Sequence, residues 1–293
     1  MEDLTITGYI VKFRTTGNIL FLVKAIVLIL RQGRIAELIY GGYCSLFFRP
    51  SLVKSSNSNH LLSRFLNENG SLKGNKLFFS RDQLIELWGK DFNVRGLPDD
   101  FAGVRSESVV HDENFFIVGE YGHQFARIAY ITRESCVVKD YYNQVSGVRH
   151  IHSILRCGKS GEILIATGDR SKFLDLWIVA DGQLNFVRRI KRYFAGYTAA
   201  VSINGNCYFG TDFSSRPNYI ETLEGEKYFF PEKAYKKLAV AFFPFLDRYI
   251  IAINCDMPQF GDRKTLSIFD VIQEKFIFCD YLDQILNEGS KPE

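Results

Sequence analysis

Hydrophobic and polar positions alternate in short runs over most of this chain. From residue 76 onward, brief apolar stretches are separated by Gly, Asn, Asp and Ser turns. They include KLFFS, LIELWG, NFFIVGEY, RIAYIT, HIHSIL, EILIATGD, FLDLWIV, YTAAVSI, NCYFGTD, LAVAFF, YIIAINCD and EKFIFCDYL. Many short strands joined only by turns predict a sandwich, a barrel or a propeller.

A recurrence decides among these. The stretch from Val148 to Asp169, VRHIHSILRCGKSGEILIATGD, has a layout that returns in degraded form elsewhere. Apolar strands end in a small residue beside an acid at Asp82, Glu120, Asp169, Asp212 and Asp256. The acids are spaced by 38, 49, 43 and 44 residues, close to the length of a four-stranded blade. The predicted fold class is all-β, a five- or six-bladed β-propeller over 76–288 with negligible helix. A sixth blade would draw on residues 40–75 or on strands from both chain ends.

The N-terminal part has a different pattern. ILFLVKAIVLIL at 19–30 is shorter than the roughly 20 apolar residues a spanning helix needs, and Lys24 interrupts it. The reading is an N-terminal helical extension, 1–48, whose helix runs to about Tyr40. It either packs on the propeller or lies on a membrane surface as a peripheral contact through 19–40. The turn-rich stretch 49–75 is a linker or a first propeller strand, with Leu61 to Leu66 readable as strand or helix.

Composition narrows the function classes. Thirty-six basic and 33 acidic residues leave a net charge of +3, without the concentrated basic face that nucleic acid demands. Twenty-six Phe and fifteen Tyr suit pleated surfaces. Six cysteines, at 44, 136, 157, 207, 255 and 279, show no short pairing and no metal-type spacing. They read as reduced thiols without near partners, which points to a cytoplasmic protein.

Successive blades of a propeller bring equivalent residues to one rim of the channel. The candidate catalytic residues are therefore Glu120, His150, His152, Asp169 and Asp212, with Arg105, Tyr121, Arg149, Tyr197 and Asp256 as ligand-binding neighbours. Strand alternation places His150 and His152 on one face, expected to look into a wet channel. With His123 they form a candidate set for a divalent metal, although the site as read requires no cofactor. Asp beside Gly at a strand end is also ordinary turn chemistry.

VRHIHSI followed by IATGD, preceded by FFIVGEYG and followed by YFGTD, resembles the BNR-repeat, sialidase-like propellers of bacterial polysaccharide gene clusters. The resemblance spans roughly residues 60–285. It implies a propeller and a glycan or acidic-sugar ligand. The Asp-box of that superfamily, a turn on the outer side of a blade, survives only as traces at Ala180-Asp181-Gly182 and Thr132-Arg133-Glu134-Ser135. Sialidases use three arginines and a Tyr–Glu pair; Arg105, Glu120 and Tyr121 match some of these roles, and no full arginine triad is assignable.

Two functions stay open. One is a glycoside hydrolase or polysaccharide lyase working at the axial pocket, with paired carboxylates or a histidine base. The other is a non-catalytic propeller scaffold binding a protein partner in polysaccharide biosynthesis.

Overall fold

The computed structural model describes residues 19–20, 23–24, 26–27, 50–53, 61–62, 64–65, 78–122, 125–141, 148–158, 161–168, 172–192, 196–213, 217–256 and 263–288. Among these residues the chain is a β-propeller of four blades, not the expected five or six. Blade 1 holds β1 (Phe78–Phe79), β2 (Val104–His111), β3 (Phe116–Glu120), β4 (Arg127–Ile131) and β5 (Cys136–Asp140). Blade 2 holds β6 (His150–Cys157), β7 (Glu162–Gly168), β8 (Phe173–Ala180) and β9 (Gln183–Arg192). Blade 3 holds β10 (Tyr197–Ile203), β11 (Asn206–Thr211), β12 (Tyr219–Thr222) and β13 (Lys227–Phe229). Blade 4 holds β14 (Leu238–Phe245), β15 (Tyr249–Cys255), β16 (Lys264–Asp270) and β17 (Lys275–Tyr281). Every pairing within a blade is antiparallel and sequential.

The strands β2, β6, β10 and β14 neighbour one another in turn about the channel. Side chains between blades form three wedges. Ile117, Ile128, Ile151 and Trp177 fill the first, Leu164, Leu174, Tyr197 and Phe209 the second, and Ala199, Ile220, Phe242 and Phe269 the third. The outer faces of the terminal blades are covered by helix and loop. Leu84 of helix α1 (Arg81–Trp88) and Val94, Leu97 and Phe101 cover blade 1. Leu62, Phe65 and Ile285 cover blade 4. A sheet with one apolar face must bury it against something, and here helices stand where a further blade would pack.

The overcount has a local cause. LIELWG is helix, not strand: Ser80 accepts from the Gln83 backbone N–H while the Gln83 side chain accepts from Ser80 N–H, a capping box that starts α1. Asp82 lies in the first turn of that helix, so it is no blade end. A second helix, α2 (Leu282–Glu288), follows the last strand, and the propeller region is therefore not free of helix. Conversely, β2 reads VRSESVVH, too polar to stand among the apolar runs although it is an inner strand.

The expected extension 1–48 and linker 49–75 fall mostly outside the described residues. Ile19, Leu20, Val23, Lys24, Ile26 and Val27 are helical and exposed. Leu61, Leu62, Arg64 and Phe65 are helical, with Phe65 fully buried against Phe243 and Phe245. No helix among the described residues is long and apolar enough to cross a membrane.

Candidate functional site

One position recurs from blade to blade at the rim where the inner strands begin. Across the two strands that follow the inner strand of each blade, Gly119 faces Ile128, Ala166 faces Leu174, Gly210 faces Ile220 and Ile253 faces Leu266. The next residues, Glu120, Thr167, Thr211 and Asn254, are therefore equivalent. In three blades this side chain accepts the backbone N–H of the residue that opens the next strand, β4, β8 or β12. Arg127 donates to Glu120 Oε2 at 3.1 Å, Phe173 to Thr167 Oγ1 at 2.9 Å and Tyr219 to Thr211 Oγ1 at 2.9 Å. Each bond ties the loop between those strands to the blade, a net contribution of about 1 kcal/mol. Asn254 faces Thr265 instead, both fully buried, and neither side chain has a hydrogen-bond partner among the described residues. In sequence Asp212 lies one residue beyond this position, Asp169 and Asp256 two. The strand-end acids are thus not register equivalents, contrary to the repeat read from the sequence.

The structure brings four of the candidates together. The Tyr121 ring stacks on His150 at 3.8 Å between centroids and lies 5.8 Å from His152. His152 Nδ1 stands 3.6 Å from Asp212 Oδ2, and Asp212 Oδ1 accepts the Gly196 N–H at 2.6 Å. The two histidines are 4% and 2% exposed. They do come together, but in a packed setting rather than the open channel expected, because Tyr121 bridges to His150 and covers it.

The other candidates are committed elsewhere. Glu120 meets Arg127, whose Nε and Nη2 donate at 2.7 and 2.6 Å, and Ala102, whose N–H donates at 2.7 Å. Arg127 also holds Asp100, and together these partners raise its pKa against the opposing effect of burial. Arg105 sits in the channel, donating from Nη2 to the carbonyls of Thr198 on β10 and Val240 on β14. It ties blade 1 to blades 3 and 4. Tyr197 donates to Glu221 at 2.5 Å while stacked on Phe209. Asp256 accepts from Lys237 at 2.5 Å, and Arg149 is half-buried. Asp169 and His123 lie outside the described residues. No group of three metal-ligating side chains forms among the described residues.

Gly168 makes the histidine cluster geometrically demanding. A Cβ there would lie 1.8 Å from His152 Cε1 and 2.1 Å from Nε2, so the imidazole packs directly on the glycine backbone. Gly168→Ala is expected to displace the ring and destabilise the protein by roughly 1–3 kcal/mol, the range for overpacking. The combination Gly168→Ala with His152→Ala should be milder than the sum of its parts, measured by urea unfolding. Strict additivity would show that the two do not touch.

The opposite mouth, where the inner strands end, is open. A groove of about 940 Å³ runs between Phe79 and α1 on one side and β2, β6, β10 and β14 on the other. Trp88, Leu87, Val109, Ile154, Val201 and Phe243 supply apolar wall, and Glu107 lies in its lining. The Glu107 side chain is 10% exposed and 3.6 Å from Arg105. Burial pushes its carboxyl above the usual carboxylate range, with Arg105 opposing the rise. Reading from strand-end acids pointed to the other rim and missed this one. The available signal was the polar run Arg105 to Ser108 on a strand flanked by Val104 and Val109.

No protein-family model matches the sequence, and no curated protein matches it. Solved structures of related shape include the β-propeller domain of Myceliophteria thermophila Cps50 (Swd1), 16% identical with a TM-score of 0.41 over 60% of this chain and 55% of that one. The Dos1 propeller is 8% identical, with a TM-score of 0.40 over 61% and 48%. Synechocystis apocarotenoid oxygenase is 11% identical, with a TM-score of 0.37 over 59% and 49%. The matched part is about half of each of those chains. The propeller assignment rests on the four sheets themselves.

Proposed function

We propose that this chain is a non-catalytic propeller, a scaffold that binds a partner. One observation carries the reading. Glu120, the only glutamate among the candidate acids, accepts four hydrogen bonds, two on each oxygen, from Arg127 and Ala102. An ionised carboxylate has about four lone-pair sites, so Glu120 has no valence left for a substrate. Retaining and inverting glycosidases both need two carboxyl groups able to reach the glycosidic bond or its water. A sialidase-like role is likewise left without its parts, since Arg105 holds carbonyls and Tyr121 lies on His150. The setting implied by the sequence resemblance, polysaccharide assembly, is retained as the context in which such a scaffold would meet a protein partner.

A second reading, a pocket at this rim that cleaves an acidic glycan, is favoured by the meeting of Tyr121, His150, His152 and Asp212. One experiment separates the two. The protein is incubated with a panel of neutral and acidic oligosaccharides, and reducing ends and unsaturated uronates are measured. The scaffold reading expects no release above a heat-inactivated control. Release that disappears in Asp212→Asn would replace it with the enzyme reading.

A further inference from the structure

The groove at the far mouth has an unusual mixture of linings. Its walls are apolar and aromatic, with Phe79 and Trp88 edge to face at 5.9 Å and Phe242 and Phe243 on β14. Among the described residues its charged lining is Glu86 and Glu107 against one cation, Arg156. Arg156 is already paired with Asp112 at 2.7 Å and lies over the Phe115 ring at 5.7 Å. Arg105 lies 3.6 Å from Glu107 Oε2, which also accepts the Ser106 hydroxyl at 2.7 Å, while the same guanidinium donates to two backbone carbonyls. β10 and β14 contribute no charged side chain to the lining. Among the described residues the groove therefore offers carboxylates and ring surfaces but no cation free of an acid.

A buried carboxylate in a groove walled by aromatic rings is the arrangement that attracts an organic cation. The ring quadrupole presents negative charge on its face, and a weakly hydrated ammonium loses little water on entry. A volume of about 940 Å³ falls in the range of small-molecule sites. We propose that this groove binds a small organic cation, an alkyl- or aryl-ammonium, its charged head towards Glu107 and its apolar body against Phe79, Trp88 and Phe243. An anion would meet Glu86 and Glu107, and the cations nearby, Arg105 and Arg156, are held by Glu107 and Asp112. A neutral ligand would gain the walls alone.

The inference deepens the binding reading and rests on it, since a scaffold needs a ligand-facing surface. The probe is benzyltrimethylammonium, compared with its neutral isostere neopentylbenzene and with the anion phenylacetate. Trp88 reports binding by fluorescence, because the other tryptophan, Trp177, is fully buried. The cation is expected to bind about tenfold tighter than the neutral isostere, the worth of one desolvated cation–π or charge contact. Glu107→Gln should collapse that ratio towards one. Leu87 is 55% exposed at the groove edge, so Leu87→Arg should weaken cation binding about tenfold with an unchanged melting temperature. It serves where Glu107→Gln fails to fold. No binding, equal affinity for the isostere, preference for phenylacetate, or insensitivity to Leu87→Arg would each overturn the proposal. Failure here without glycan turnover leaves the scaffold reading standing; turnover at the opposite rim removes the scaffold reading and, with it, the groove's role as a scaffold's binding face, whatever the cation affinity.

Discussion

Glu120→Ala should cost this protein about 3–5 kcal/mol of folding free energy, the range for breaking a buried ion pair by removing one partner. The Glu120 side chain is 3% exposed and its Arg127 partner 19%. Truncation leaves the Arg127 Nε and Nη2 and the backbone N–H groups of Arg127 and Ala102 without their acceptor. Asp100 keeps part of the guanidinium bonded through its side chain and carbonyl, so the cost should sit nearer the lower limit. A fall of roughly 10 °C in melting temperature follows from the usual scaling for chains of this size. Glu120→Gln should be milder but not neutral, because its amide NH2 would face donors on one side. Urea unfolding followed by Trp177 fluorescence measures both. A melting temperature unchanged in Glu120→Ala would show that this carboxylate is not the lock of its blade, and would return it to the list of residues kept for chemistry.

The contrast between Glu120 and its equivalents explains what the sequence made legible. The strands β3 to β17 follow the short apolar runs, because each blade buries a face of its sheet against the next and needs Ile, Val, Phe or Tyr to do so. The blade count does not follow, because the repeating element is a hydrogen bond rather than a residue type. Glu, Thr, Thr and Asn occupy the same register position, and three of them accept the same backbone N–H through different chemical groups. A pattern built on acids therefore drifted by one or two residues from blade to blade. It also admitted Asp82, which belongs to a helix announced by Ser80 and Gln83.

The candidate site was legible in one part. The two imidazoles do come together, 6.1 Å between centroids, but a bulge at His152 interrupts the alternation expected to align them, and Asp212 did come to His152. Their packed setting was not legible, because Tyr121 reaches it from the preceding blade. Nor was the far groove, whose acid and aromatics come from α1 and four different strands. Contacts between blades join residues separated by a blade length in sequence, and local pattern carries no record of them.

The cysteines show the same blindness and give the second large effect. Cys157 closes β6 in blade 2 and Cys207 lies near the start of β11 in blade 3, with their sulfurs 2.8 Å apart. The sequence suggested no near partners; both are free thiols here, as are Cys136 and Cys279. Treatment with glutathione disulfide should join them. Cys207 is 2% exposed, and burial, reinforced by Cys157, pushes its thiol well above the ordinary range. Half-buried Cys157 is therefore the attacking thiolate. It displaces one glutathione to form a mixed disulfide; Cys207, once deprotonated, attacks the Cys157 sulfur and releases the second glutathione. Two thiol protons are lost and two glutathione thiols formed. Because the slow step waits on Cys207, closure should quicken as pH rises. The bond would span 50 residues and staple two adjacent blades, which in the chain-entropy treatment stabilises by about 4 kcal/mol. The sulfurs need to close by under about 1 Å to reach bonding distance, so little native strain should offset that gain. Alkylation of the denatured, unreduced protein should then add two fewer labels than before oxidation, and the melting temperature should rise by roughly 10 °C. Cys207→Ser should remove both changes. An unaltered label count would show that the two sulfurs do not reach one another, and the fit between blades 2 and 3 would have to be looser than the packing of Leu164, Leu174 and Phe209 describes.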